Sequence, residues 1–150
     1  MQASLMMTRP TFSSIYTQLA IGLSERSTCS RSKVGCVITS TDSRYVYGIG
    51  YNGGASGMAD CCTGEVGNCG CLHAEMNAVI NCNADRIKEK IVYTTLVPCR
   101  QCAKALINLG GVQKVIYGSM YRKTDGLELL QAAGIKCVSY EDIKNVTNNT

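Results

Sequence analysis

The sequence predicts an α/β protein in which helices cover both faces of a five-stranded mixed sheet. Short segments rich in β-branched residues alternate with segments of helical periodicity, and Gly- and Ser-containing breaks separate them. At 150 residues, 45% of them hydrophobic, the chain is long enough to bury one core. We therefore expect a single domain over residues 1–150, with its folded core at about 11–140.

The first predicted element is a helix over residues 11–26. Three large apolar residues recur with helical spacing and would form its buried stripe: Ile15, Leu19 and Leu23. Thr11 or Ser13 could cap its first turn, since a hydroxyl side chain accepts from the free backbone N–H groups there.

A hairpin follows this helix. Residues 34–39 and 45–50 are rich in β-branched and aromatic side chains, which favours strands, and the polar turn at 40–43 joins them. A Gly- and Cys-rich loop then covers residues 51–72.

The second half alternates strands with helices. Helices are expected at 73–81, 99–108 and 124–133, and strands at 91–95, 113–117 and 135–139. Strands joined by helical crossovers pair in parallel and place helices on both faces of the sheet. The tail from Asn145 is expected to be frayed.

One pair of motifs carries chemistry. His73, the single histidine, lies two positions before Glu75, and Pro98-Cys99-Arg100-Gln101-Cys102 follows later in the chain. Together they match the H-x-E and P-C-x-x-C signature of zinc-dependent nucleobase deaminases.

The residue types explain the signature. Zinc takes nitrogen and sulfur ligands in a tetrahedron, so His73, Cys99 and Cys102 would hold it and leave one position open for water. Pro98 fits the start of the second helix, where a missing N–H costs nothing. Glu75 would carry protons between the water and the substrate.

Plainer interpretations exist for each part taken alone. A Cys-x-x-Cys pair is often a redox pair or a structural zinc clip, and a lone histidine is more often structural. Glu75 could be an ordinary first-turn glutamate that the helix dipole favours. The three parts in this order, each opening a predicted helix, favour the catalytic interpretation.

With these motifs in view, the chain resembles the dCMP deaminase family of the zinc-dependent cytidine deaminase superfamily. His73–Ala78 and Pro98–Lys104 carry the superfamily resemblance, while Arg26–Cys29, Ser32–Gly35 and Gly50–Gly53 resemble the dCMP branch. The resemblance implies a three-layer α/β/α cytidine deaminase-like fold. It also implies a hydrolase that converts dCMP to dUMP for thymidylate synthesis and assembles as a homohexamer.

Four substrate-binding residues follow from the resemblance. Arg26 would meet the 5′-phosphate, Asn52 would contact the sugar and phosphate region, and Tyr121 would stack on the pyrimidine. Ala74 would also contact the substrate. Plainer alternatives are a solvent-facing arginine, a type I′ Asn-Gly turn at Asn52 and surface packing of Tyr121.

The resemblance further implies allosteric control. Gly50, Tyr51, Asn52 and Gly53 resemble the family's nucleotide-binding motif, with dCTP as the activator and dTTP as the inhibitor. Such a triphosphate would bring Mg²⁺ with it.

The resemblance also suggests a second, structural zinc site. Cys29 and Cys61 resemble two of its ligands, and Cys69 and Cys71 are the nearest candidates for the others, with Cys62 adjacent. Free thiols in a short loop are the alternative.

Composition separates the rival functions. The net charge of +4 and the absence of a basic cluster disfavour a nucleic-acid partner such as tRNA, so tRNA adenosine deamination is a weaker alternative. Deamination of dCTP as well as dCMP, or a non-catalytic zinc-binding module, stay open. No apolar run approaches the ~20 residues of a membrane span, and the start lacks a signal-peptide pattern, so we expect a cytoplasmic protein.

Overall fold

The structure, a computed structural model, describes residues 9–58, 62–65, 69–119 and 123–147. Its helices are α1 (Phe12–Ser24), α2 (Ala74–Asn81), α3 (Arg100–Leu109), α4 (Asp125–Ala132) and α5 (Tyr140–Thr147). Its strands are β1 (Gly35–Ser40), β2 (Val46–Tyr51), β3 (Lys90–Leu96), β4 (Val112–Ser119) and β5 (Lys136–Ser139).

The five strands form one mixed sheet in the order β2-β1-β3-β4-β5. β1 pairs antiparallel with β2 and β3, whereas β4 pairs in parallel with both β3 and β5. Helices α1 and α5 pack on one face, and α2, α3 and α4 pack on the other. The predicted three-layer α/β architecture is therefore confirmed.

Helix α2 lies in unusually close contact with strand β2. A Cβ atom added to Gly50 would collide with the backbone atoms Ala74 O and Ala78 N, and one added to Gly48 would lie 2.7 Å from Ala78 O. Glycine is required at both positions because the helix backbone occupies the space of a side chain. This contact fixes where the first turn of α2 lies.

Two asparagines of α2 also cover the open edge of the sheet. β2 is an edge strand, so its outward carbonyls lack a neighbouring strand. Asn77 Nδ2 donates to Tyr51 O at 2.8 Å, and Asn81 Nδ2 donates to Ile49 O at 2.9 Å. The two side chains lie one helical turn apart, which matches the two-residue repeat of the strand.

Helix α1 differs from the prediction in which face it buries. Thr11 caps it by accepting from Ser14 N at 3.1 Å, as the sequence suggested. Ile15 and Leu19 are 44% and 38% exposed, however, so the predicted apolar stripe was wrong for these two residues. The face that packs on the sheet consists of Tyr16, Ala20 and Leu23.

The reason is the close approach between α1 and β1. A Cβ on Gly35 would collide with Ala20 O, so the helix backbone lies directly over the strand at this point. Only a small residue such as Ala20 fits there, and apolar periodicity alone does not reveal that constraint.

The C-terminal segment also differs from the prediction. The sequence suggested fraying from Asn145, but helix α5 extends over Tyr140–Thr147. Tyr140 and Ile143 pack against a core cluster that contains Tyr93 and Ile116. This packing stabilises a helix that is too short to be stable alone.

The boundaries of α3 need one correction. Cys99 is the N-cap residue, so Pro98 lies just before the helix rather than at its first position. Gly110, with φ of 85°, ends the helix after Leu109, one residue beyond the predicted end at 108. None of the helices in the described ranges is both long enough and apolar enough to cross a lipid bilayer.

The α2–β2 contact can be tested by substitution. We expect Gly50→Ala to lower the free energy of unfolding by about 2–3 kcal/mol, because helix and strand must separate to admit the methyl group. Gly22→Ala is the matched control, since nothing lies within 4 Å of an added Cβ in the interior of α1. It should stabilise the protein by up to about 1 kcal/mol. Urea unfolding measures the free energy of unfolding of both variants. A Gly50→Ala protein as stable as the unaltered one would contradict the close contact between α2 and β2.

Candidate active site

Three of the predicted zinc ligands meet where two helices begin. His73 is the N-cap residue of α2 and Cys99 is the N-cap residue of α3. His73 Nδ1 lies 3.4 Å from Cys99 Sγ and 3.3 Å from Cys102 Sγ. All three ligand atoms lie within 4.8 Å of one another.

The spacing of these atoms fits zinc. A tetrahedral ion with Zn–S bonds of about 2.3 Å and Zn–N bonds of about 2.0 Å places a sulfur and a nitrogen ligand about 3.5 Å apart. The lowered pKa of one ligand thiol also fits a metal site. Hydrogen bonding from Cys102, together with His73, lowers the pKa of the Cys99 thiol to about 4. A thiolate is the form that binds metal.

Glu75 lies in the first turn of α2, next to the ligand atoms. The residue is only 4% exposed. Burial raises the pKa of its carboxyl group to about 7, against the opposing effects of its own backbone N–H and of His73. A buried carboxyl with a raised pKa beside a metal-binding cluster is typical of a functional site, which favours a chemical role over that of a first-turn glutamate.

A cavity opens in front of these residues. Its described lining includes His73, Glu75 and Cys99, together with Asn52 and Arg31. It lies at the edge of the sheet where β1 begins and where β2 and β3 end. The predicted catalytic residues therefore share one concave surface.

Asn52 is held by two backbone groups. Its Oδ1 accepts from Val34 N at 2.9 Å and its Nδ2 donates to Ser32 O at 2.7 Å. One N–H and one lone pair of the amide stay available for a ligand. Neither Asn52 nor Gly53 has a positive φ, so the type I′ turn that the Asn-Gly pair suggested does not form.

The other predicted substrate residues have different positions. Ala74 lines the cavity as the first residue of α2, where a backbone N–H has no partner within the helix. Arg26 is exposed, is absent from the described lining, and places its guanidinium 5.4 Å from the centroid of the Tyr51 ring. Tyr121 lies outside the described residues.

The four residues of the predicted allosteric motif separate onto two surfaces. Gly50, Tyr51 and Gly53 line a second cavity of about 590 Å³, whereas Asn52 faces the first. The chain runs between the two cavities here. Gly53 continues the edge of β2 by pairing with Leu72, with N···O distances of 3.1 and 2.8 Å.

A second cluster of thiols borders the first cavity. The Sγ atoms of Cys29, Cys62, Cys69 and Cys71 all lie within 4.8 Å of one another. Cys29 Sγ is 3.7 Å from Cys62 Sγ and 3.8 Å from Cys69 Sγ. These distances exceed a disulfide bond but match the sulfur–sulfur edge of about 3.8 Å in a tetrahedral zinc site.

Local geometry explains how this cluster forms. Gly70 has a φ of 85°, which lets Cys69 and Cys71 turn toward the same point. Hydrogen bonds from Ser30 lower the pKa of the Cys62 thiol to about 6. The predicted ligand Cys61 lies outside the described residues, and among the described ones Cys62 completes the set of four.

Sequence reasoning missed two residues of this region. Cys62 lies beside Cys61 in the sequence, and an adjacent pair gives no spacing signal to choose between them. Arg31 was not singled out, because its position on the cavity depends on how the loop before β1 folds.

The protein belongs to a known family. The model of the family described as the cytidine and deoxycytidylate deaminase zinc-binding region matches residues 11–119, which cover most of the chain and contain both helix starts, so the chain is a member of this family. The fold and the ligand geometry described above agree with that membership.

Individual relatives are moderately similar. A deoxycytidylate deaminase of Mycobacterium phage D29 is 34% identical, over 74% of this chain and 97% of that protein. One from Schizosaccharomyces pombe is 31% identical, over 88% of this chain and 45% of that protein, so the chain spans less than half its length. The crystal structure of a cyanophage S-TIM5 dCMP deaminase, in complex with dCMP and dUMP, superimposes with a TM-score of 0.76. It is 31% identical and covers 88% of this chain and 98% of the phage chain.

Proposed function

We propose that the protein catalyses the hydrolytic deamination of dCMP to dUMP. The observation that carries the proposal is the cluster of His73, Cys99 and Cys102 beside the buried Glu75, at a cavity that His73, Cys99 and Glu75 line. The cyanophage relative, whose crystal structure contains dCMP and dUMP, matches this chain over 98% of its own length, and this supports the choice of substrate. In the reaction, the oxygen of water bonds to C4 of the cytosine ring and the C4–N bond breaks to release ammonia.

The chain's residues have separate tasks. When bound by His73, Cys99 and Cys102, zinc lowers the pKa of water so that it can act as a nucleophile near neutral pH. Glu75 holds the proton taken from the water on its carboxylate and passes it to ring N3. It then carries the second proton, from the new hydroxyl on C4, to the departing amine, and that oxygen becomes the C4 carbonyl. The burial of Glu75 among the ligand residues excludes bulk water from this transfer.

Residues around the zinc-ligand cluster would bind the substrate. Asn52 would offer its remaining N–H and lone pair to the nucleotide, and the backbone N–H of Ala74, the first residue of α2, would be a further donor at the cavity. Stacking by Tyr121 and a phosphate contact by Arg26 stay predictions from the resemblance.

The role of Glu75 can be tested directly. We expect Glu75→Gln to lower kcat for dCMP by at least about 10³-fold, because the amide cannot carry a proton. Zinc content should stay unchanged, since Glu75 is not a ligand. Glu128→Gln, which alters an exposed residue in the first turn of α4, is the matched control and should keep full activity. Full turnover by the Glu75 variant would contradict the mechanism.

We further propose that Cys29, Cys62, Cys69 and Cys71 bind a structural zinc ion. Their sulfur separations fit a closed four-thiolate site, which contributes folding energy. Such a site would order a loop that has few apolar residues to hold it in place.

Zinc analysis tests this proposal. We expect close to two zinc ions per chain in the purified protein and close to one in Cys62→Ser, because a site with three thiols binds more weakly. Cys82→Ser is the control, since Cys82 belongs to neither cluster. One zinc ion per chain in the unaltered protein would rule the second site out.

We also propose allosteric control by nucleoside triphosphates with Mg²⁺. The second cavity, of about 590 Å³ and lined by Gly50, Tyr51 and Gly53, is large enough for a nucleotide.

The homohexamer implied by the resemblance stays a prediction. The exposed apolar residues of α1, such as Phe12 and Ile15, would give it a contact surface.

Steady-state kinetics test the regulation. At dCMP concentrations below KM, we expect dCTP with Mg²⁺ to raise turnover and dTTP to lower it. Product analysis in the same assay shows whether dCTP is itself deaminated. Turnover that responds to neither triphosphate would leave the enzyme assignment intact and remove the allosteric one.

A further inference from the structure

We infer that Arg31 binds the 5′-phosphate of the substrate. This inference rests on the proposed function, because it assumes that a nucleotide occupies the cavity in front of His73 and Glu75. It assigns nucleotide selectivity to a residue that the resemblance to known families did not indicate.

The composition of the cavity wall is the first argument. Among the described lining residues, Arg31 is the only cation and Glu75 is the only carboxylate. Glu75 lies with the reacting centre, so among the lining residues that the structure describes Arg31 is the one that can neutralise a ligand phosphate. A guanidinium presents five N–H donors in a planar fork that suits phosphate oxygens.

The second argument is that Arg31 has no internal use. Arg31 is a half-buried residue, and within the described part of the chain its side chain has no hydrogen-bond, ion-pair or ring partner. Partial burial removes hydrating water from a cation, and hydrogen bonds to a bound anion would replace that water. The side chain is therefore available to a ligand at no cost to another contact.

Arg26, the arginine that the resemblance indicated, is placed differently. Its guanidinium lies over the ring of Tyr51, which lines the second cavity. Binding a phosphate in the first cavity would require Arg26 to give up this cation–π contact. The structure therefore favours Arg31 over Arg26.

The backbone around Arg31 is held on both sides. Ser30 N donates to Cys62 Sγ at 3.3 Å, and Cys29 belongs to the four-thiol cluster. On the other side, Asn52 Nδ2 donates to Ser32 O at 2.7 Å. A segment fixed in this way holds the backbone of Arg31 in place before the substrate binds, which lowers the entropic cost of binding.

The test compares a nucleotide with its nucleoside. In Arg31→Gln we expect kcat/KM for dCMP to fall by about 10- to 100-fold, the range for losing a charge-assisted hydrogen-bonding partner. The value for deoxycytidine, which has no phosphate, should change less than about threefold. Arg31→Lys should recover part of the loss for dCMP. Lys33→Gln is the matched control, because it removes the same charge from an exposed residue of the same segment that does not line the cavity.

Two results would overturn the inference. Equal losses for dCMP and deoxycytidine in Arg31→Gln would show that Arg31 supports the fold of the site rather than the phosphate. A selective loss for dCMP in Arg26→Gln, with none in Arg31→Gln, would assign the phosphate to Arg26.

Calorimetric binding of dCMP separates this inference from the proposed function. If the unaltered protein binds dCMP without deaminating it, and Arg31→Gln weakens that binding at least tenfold, the proposed function fails and the inference stands. If turnover of dCMP is normal and binding is the same in both proteins, the proposed function stands and the inference fails. If the unaltered protein does not bind dCMP, both fail.

Discussion

The close contact between helix α2 and the edge strand β2 determines the geometry of the whole site. Gly48 and Gly50 let the backbone of the helix touch the strand, and Asn77 and Asn81 satisfy the outward carbonyls of that strand. Because His73 begins α2, this contact sets the distance between the imidazole and the thiols of the neighbouring helix. The glycines and asparagines therefore position the site, although they do not line the cavity in front of His73 and Glu75.

The topology of the sheet then brings the second helix to the same place. β3 ends at the edge where β1 begins, and α3 starts directly after it, so the N-termini of α2 and α3 converge. Each N-terminus carries partial positive charge, which stabilises nearby thiolates. Cys62, Cys69 and Cys71 between β2 and α2, together with Cys29 before β1, add the four-thiol cluster next to the first. A single corner of the fold thus holds both candidate metal centres and the cavity between them.

The sequence predicted the parts of this arrangement that depend on short spacing. His73, Glu75, Cys99 and Cys102 could be recognised because helix starts and metal-ligand spacing are local properties, and the alternation of strands and helices followed from periodicity. Features that depend on distant contacts were not predictable in the same way. The buried face of α1 is set by Gly35 on another element, and α5 forms because Tyr140 and Ile143 reach a core cluster. The choice of Cys62 and the position of Arg31 depend on the path of loops whose sequences carry no periodic signal.

The most direct test of the central claim is the dependence of dCMP turnover on zinc. Protein stripped of metal by a chelator should lose deamination of dCMP and regain it when zinc is restored, with dUMP and ammonia formed in equal amounts. That result would establish that the reaction requires zinc, as the cluster of His73, Cys99 and Cys102 predicts. Undiminished turnover by the metal-free protein, or no turnover of dCMP by fully zinc-loaded protein, would contradict it.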